Sequence, residues 1–291
     1  MKLKPSKCHL FQTEVRYLGH VVSKNGVATD PKKVAAVADW PVPKSLTELR
    51  AFLGTVGYYR QYVENFAEKA RPLNQLTNKD VKFQWSAECE LAFSSLKQSL
   101  LTAPVLGYPD PSLAYILDTD ASLVGVRAVL SQVQDGKERV ISYYSQSLTR
   151  AERNYCATRR ELLAVVAAVT HYRPYLYGKE FRIRTDHASL LWLCRRKMPS
   201  AQVARWLEIL SEFNFVIEHR AGNKHSNADG LSRRPCSECK QCARVSQQGE
   251  GPSFEEIVSE LAERAKLDTP LPVELLVSSC TIRKIRNVVE P

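Results

Sequence analysis

The chain has 291 residues, of which 44% are apolar and 25% charged, the balance of a soluble folded protein rather than a disordered one. The longest unbroken apolar run, Leu162 to Val169, is far too short to span a bilayer, and the basic start has no apolar stretch behind it, so neither a membrane anchor nor a signal peptide is expected. The formal net charge of +10 points to a polyanionic partner, most simply nucleic acid. Eight scattered cysteines suit a reducing compartment, hence an intracellular, cytoplasmic or nuclear protein.

Residues 1–30 read as a β-hairpin. Val15 to Val22 is rich in β-branched and aromatic residues, Lys24-Asn25-Gly26 is a turn, and Val27 to Thr29 returns. Asp30-Pro31 starts a helix that runs to about Trp40. Ser45-Leu46-Thr47-Glu48 is a capping box opening a second helix, with Leu49, Phe52, Leu53, Val56, Tyr59 and Tyr62 near helical spacing. Helical stretches follow over about 64–76, broken at Pro72, and 87–101. Pro104 to Pro111 is a connector. Strands are expected at about 114–120, 124–132, 139–145, 181–185 and 213–219. A long helix is expected over 151–172, and helical segments at 188–194, 200–211 and 226–232. That order implies an α/β fold with a mixed five-stranded sheet and flanking helices. Beyond Arg233 the pattern weakens into a linker and tail.

The stretch Ala114 to Val129 organises this second half. An apolar strand, Tyr115-Ile116-Leu117, carries Asp118 and Asp120 to one side of its end. Two carboxylates there call for a nearby cation, such as a divalent metal ion. Equally, Asp and Ser are ordinary turn residues. Three further acids fall at comparable places. Glu161 borders the apolar stripe of the long helix, Asp186 ends the fourth strand, and Asp229 sits in the last short helical segment. Each alone reads as a solvated or loop-forming acid. Together, four carboxylates at element ends can hold two divalent ions about 4 Å apart, an arrangement for phosphodiester hydrolysis. Mg²⁺ suits hard oxygen ligands.

TDAS at 119–122, NYCATRRELLAVV at 154–166, RIRTDHASL at 182–190 and HSNADGLSR at 225–233 resemble, in that order and spacing, the ribonuclease H domain of gypsy-type LTR retrotransposon reverse transcriptases. LKPSKCHLF, VRYLGHVVS, DPKKVAAVADWPVP and LRAFLGTVGYYRQYV resemble the end of the palm and the thumb of the same polymerases. FQWSAECELAFSSLKQSL resembles the segment joining thumb to ribonuclease H. The resemblance covers residues 1–234. It implies palm end over 1–30, thumb and connection over 31–111, a ribonuclease H-like domain over 112–234, and a linker and tail over 235–291.

The resemblance also implies function: hydrolysis of the RNA strand of an RNA/DNA hybrid, with two Mg²⁺ ions, or Mn²⁺ in their place. Asp120, Glu161, Asp186 and Asp229 match its metal-binding acids; Asp118 does not. A His or Tyr about ten residues before the last acid is implied to aid turnover; His219 stands there, and His225 is a second candidate. Two departures are visible. Leu123 replaces a polar residue after TDAS, and Arg127 replaces the second glycine of a GxGAVL run. Arg127 is expected either to disturb the sheet or to contact phosphate. The aromatic-X-Asp-Asp signature of the polymerase is not found, so copying of nucleic acid by this chain alone is not expected. The implied setting is a fragment of a Pol polyprotein, whose remainder is a further partner. The alternative is a non-catalytic module that binds nucleic acid or a Pol partner through an inert ribonuclease H fold. Cys236, Cys239 and Cys242 have a zinc-like spacing but no spaced fourth ligand; Cys280 or His225 would have to supply it, and a linker is the plainer reading.

Overall fold

The computed structural model describes residues 11–79, 81–186 and 201–219. The expected elements at 188–194 and 226–232, and the cysteines at 236, 239 and 242, lie outside them. So do Asp229, His225 and Cys280.

The chain begins with a three-stranded antiparallel meander, β1 (Glu14–Tyr17), β2 (His20–Ser23) and β3 (Gly26–Thr29). The single strand expected over 15–22 is thus two. The chain reverses at Leu18 and Gly19, both at positive φ, +47° and +78°. A leucine in the left-handed region carries no turn signature, so composition hid this corner. Tyr59 Oη donates to the Gly19 carbonyl at 2.9 Å and Tyr58 Oη to that of Leu18 at 2.6 Å, so the helical region holds the turn in place.

Helices follow: α1 (Pro31–Ala38), α2 (Leu46–Tyr58), α3 (Phe66–Lys69), α4 (Arg71–Leu76) and α5 (Ala87–Leu101). Asp30 caps α1 by accepting from the Lys32 amide at 3.0 Å, with Pro31 in the first turn. Ser45 caps α2, while Glu48 reaches back to the Lys44 amide at 2.7 Å. The break expected at Pro72 falls at Ala70, and Pro72 sits in the first turn of α4, where its missing N–H costs nothing. Leu49, Phe52, Val56, Leu73, Phe93, Leu96 and Leu100 close one core.

The connector stitches this part to the second sheet. Val27 and Leu106 exchange backbone hydrogen bonds at 2.8 and 2.9 Å, and the Gly107 amide donates to the Val140 carbonyl at 2.8 Å. Gly26, at φ +131°, is required by this approach, since a Cβ there would lie 2.1 Å from the Leu106 carbonyl oxygen.

The second sheet contains β4 (Tyr115–Ala121), β5 (Gly125–Gln134), β6 (Lys137–Ser147), β7 (Glu180–Thr185) and β8 (Asn214–His219), in the order β6-β5-β4-β7-β8. β4 pairs antiparallel with β5 and parallel with β7. The β5–β6 hairpin turns at Asp135-Gly136, both at positive φ, as the Asp-Gly pair implies. The mixed five-stranded sheet with flanking helices is the architecture expected from the sequence. α6 (Ala157–His171) packs on it, followed by α7 (Arg173–Leu176) and α8 (Ala201–Ser211). The helix expected from 151 starts at 157, because Tyr155 and Cys156 are extended and a short 3₁₀ turn occupies Glu152–Asn154.

β4 contributes Tyr115 and Leu117 to the core beneath α6, where they meet Leu130, Leu162, Val165, Val169 and Ile183. Tyr172 anchors the end of α6 by donating to the Ser142 carbonyl at 2.9 Å. Leu117 has no solvent exposure and lies between both neighbouring strands and the helix. Leu117→Ala is expected to lower the unfolding free energy, read by urea denaturation, by about 2–5 kcal/mol.

Candidate metal centre

β4 and β7 run parallel, so their C-terminal ends share one edge of the sheet. Asp120 is the penultimate residue of β4, and Asp186 directly follows β7. α6 passes above with Glu161 in its second turn, flanked by buried Leu162, Ala164 and Val165. Carboxylate oxygens of Asp120, Glu161 and Asp186 all lie within 4.8 Å of one another. Three of the four acids singled out by sequence therefore meet. The fourth, Asp229, lies outside the described residues. His219 ends β8 in register with Thr185, the residue before Asp186.

The three acids differ in environment. Glu161 is buried, with 8% exposure, Asp120 is half-buried and Asp186 is exposed. Glu161 accepts a hydrogen bond from the Ala121 amide, while its Oε2 is buried with no hydrogen-bond partner among the described residues. Burial first, then the neighbouring charges of Asp120 and Asp186, push its carboxyl up from 4.5 to about 8. A buried, unpartnered carboxylate oxygen beside two more acids is a costly arrangement for the polypeptide alone. A hard divalent cation accepts such oxygens as ligands, so the donor set fits a metal ion of the Mg²⁺ type.

Asp118 has a different fate. It forms a two-pronged pair with Arg184, Nε to Oδ1 at 2.7 Å and Nη2 to Oδ2. Arg184 also holds Glu138 through Nη1, at 3.0 Å, and Nη2. Asp118 is thus neither a member of the cluster nor simply solvated. Asp120 forms an ion pair with Arg127, its direct neighbour across the β4–β5 ladder. Of the two expectations for Arg127, the disturbed sheet is corrected. Pairing is regular from Tyr115 to Ala121, and the guanidinium is engaged by Asp120. Leu123 lies in the β4–β5 turn at 61% exposure, away from the core. The sequence reading singled out Arg127 but missed its pairing with Asp120, and it missed Arg184 altogether. Arg127 had a signal, since a short loop after Ala121 sets the antiparallel register; Arg184 had none, because parallel pairing is not legible locally.

Residues 110–213 match the family model of the RNase H-like domain found in reverse transcriptase. Among curated proteins, the chain is 38% identical over 240 residues to the retrovirus-related Pol polyprotein from transposon 412 of Drosophila melanogaster, covering 82% of this chain and 19% of that protein. It is 40% identical over 234 residues to the Pol polyprotein from transposon 297 of the same organism, covering 80% and 22%. The chain thus spans about a fifth of the length of these relatives. Among solved structures, a foamy viral protease-reverse transcriptase in complex with RNA/DNA hybrid shares the fold, with a TM-score of 0.65 at 20% identity over 77% of this chain and 32% of that one. The segment that matches that model contains Asp120, Glu161 and Asp186. No helix among the described residues is long and apolar enough to cross a membrane.

The raised Glu161 carboxyl sets a pH dependence for the metal-free chain. Folded, Glu161 keeps its proton to about pH 8; its ordinary value is 4.5. Between those values the folded chain binds more protons than the unfolded one, so stability falls as pH rises. The thermal midpoint of the metal-free chain is expected to drop from pH 5 to pH 8, and Glu161→Gln to reduce that drop by about 2–4 °C. An unchanged drop in Glu161→Gln would show that this carboxyl is not its source.

Proposed function

We propose that this chain carries a ribonuclease H activity that hydrolyses the RNA strand of RNA/DNA hybrids, as part of the Pol polyprotein of a gypsy-type LTR retrotransposon. The observation that supports it most is the Asp120–Glu161–Asp186 cluster with an unpartnered Glu161 oxygen, inside a ribonuclease H-like domain. Asp120, Glu161 and Asp186, with Asp229 as the fourth acid, are assigned as ligands of two Mg²⁺ ions, with Mn²⁺ able to replace them. Bound there, the metal supplies an activated water and stabilises charge on the phosphate and the leaving 3′ oxygen.

The protein's own residues do the rest. Packing of α6 on β4 fixes Glu161, and the shared edge of β4 and β7 presents Asp120 and Asp186 toward solvent, where a duplex can reach them. His219, at the end of β8, is assigned to product turnover. Preference for the hybrid is assigned to 2′-hydroxyl contacts in its shallow minor groove. The helices before residue 111 are assigned to the duplex backbone, a contact that weakens steeply with salt. The solved relative whose fold this chain shares holds an RNA/DNA hybrid, in keeping with that substrate. The division into palm end (1–30), thumb and connection (31–111), ribonuclease H-like domain (112–234) and tail (235–291) belongs to the same reading. No polymerase activity is assigned to this chain by itself, since its sequence has no adjacent pair of aspartates.

A second reading has one observation in its favour: the ion pair that Arg127 makes with Asp120. On that reading the domain binds nucleic acid or a Pol partner and does not cut. A labelled RNA/DNA hybrid incubated with the purified chain and Mg²⁺ separates the two. Cleavage is expected, with chelation of divalent ions abolishing it. Asp120→Asn, Glu161→Gln and Asp186→Asn are each expected to reduce the rate by about a hundredfold or more, since loss of even an outer-shell group costs 10–100-fold. Retained binding of the hybrid with no metal-dependent cutting would establish the second reading instead.

A further inference from the structure

We propose that Arg127 is an internal competitor for the divalent cation at Asp120. The guanidinium and the metal ion exchange on one carboxylate, so filling the site and releasing Arg127 are a single event. This rests on the reading of the three-acid cluster as a metal site.

The placement of Arg127 is fixed by the strand ladder. Asp120 and Arg127 are direct partners in the antiparallel β4–β5 pair, where opposed side chains stand close together. The turn that sets this register is braced. Ser122 Oγ accepts from the Val124 amide at 3.2 Å and the Gly125 amide at 3.0 Å, and the Ser122 amide donates to the Gly125 carbonyl at 2.8 Å. Gly125 itself packs so closely that a Cβ would meet the Gln146 carbonyl oxygen at 3.0 Å. The hairpin therefore holds the backbone of Arg127 opposite Asp120.

Charge decides the rest. Asp120 is a member of a cluster whose three carboxylates crowd within 4.8 Å, and Arg127 places one positive charge on it. An incoming cation meets a cluster already partly neutralised, and needs an oxygen that the guanidinium holds. Among the described residues, the β7 arginines on this face are committed elsewhere, since Arg184 holds Asp118 and Glu138 and Arg182 pairs with Glu218. The pair is also reversible. The Arg127 and Asp120 side chains are 48% and 35% exposed, so the guanidinium can turn into water at little cost. That is the behaviour of a competitor rather than of a permanent lock.

The test reads metal binding directly, on the intact metal-free chain without nucleic acid. Mn²⁺ is titrated and free ion followed by electron paramagnetic resonance. Arg127→Gln is expected to bind Mn²⁺ about fivefold or more tightly than wild type, and adding Asp120→Asn to be expected to erase the gain. Arg127→Thr, a good strand former, repeats the comparison and excludes a folding defect of the first variant. In wild type, Mg²⁺ is expected to shift the Arg127 Nε–Hε NMR signal, identified by its loss in Arg127→Gln. Equal or weaker Mn²⁺ binding in both Arg127 variants, or an Arg127 signal that ignores Mg²⁺, overturns the proposal. Absence of Mn²⁺ binding in all the proteins overturns it together with the metal reading of the cluster. Tighter binding in the variants without hybrid cleavage supports the competitor and overturns only the nuclease reading.

Discussion

The burial of the Glu161 carboxyl is the constraint on which the rest of the candidate site depends. A carboxylate removed from water loses several kcal/mol of solvation unless a partner replaces it. Glu161 lies on the packed face of α6 because its neighbours Leu162 and Val165 must face the sheet, and the helix cannot turn it outward without exposing them. The Ala121 amide satisfies one oxygen, and among the described residues nothing hydrogen-bonds the other. The carboxyl must therefore either keep its proton, as it does to about pH 8, or meet a cation, at an edge where two parallel strands also deliver Asp120 and Asp186.

A second level of electrostatics surrounds this point. The face of β4 carrying Asp118 and Asp120 is lined by arginines of the neighbouring strands, Arg184 from β7 and Arg127 from β5. Each aspartate has one. Arg184 reaches two acids with its fork, a geometry lysine could not copy, and so ties β4 and β7 to Glu138 of β6. Arg127 ties β4 to β5 alone. One arginine therefore contributes to the sheet as a whole, while the other acts on the chemistry of a single carboxylate.

Much of this was legible in the sequence, for identifiable reasons. Alternation placed Asp118 and Asp120 on one face, helical spacing placed Glu161 at the border of the buried stripe, and Asp135-Gly136 marked its turn by residue chemistry. The strands of the large sheet were located to within a few residues because apolar runs ended at turn signals. What escaped was set by tertiary context. The Leu18-Gly19 corner depends on Tyr58 and Tyr59, some 40 positions further on, and no local preference announces a left-handed leucine. The start of α6 escaped because Ala151 to Asn154 has helical composition, yet extended Tyr155 and Cys156 interrupt it. The partner of Asp118 escaped because it lies 66 positions away, across a parallel pairing.

Why two aspartates of one strand, on one face, separate so completely follows from where the pairings of β4 stop. The antiparallel ladder with β5 continues to Ala121, so both Asp118 and Asp120 have a β5 neighbour, Val129 and Arg127 respectively. The parallel ladder with β7 ends at Asp118 opposite Arg184. Asp118 is therefore enclosed between two paired strands, and its carboxylate finds the arginine that the ladder supplies. Asp120 extends beyond the last β7 pairing, where the sheet opens toward Glu161 and Asp186. On its β5 side it meets a guanidinium, and on its open side two acids. The end of one ladder, three residues short of the other, makes one aspartate structural and leaves its neighbour suspended between an arginine and a place for a metal ion.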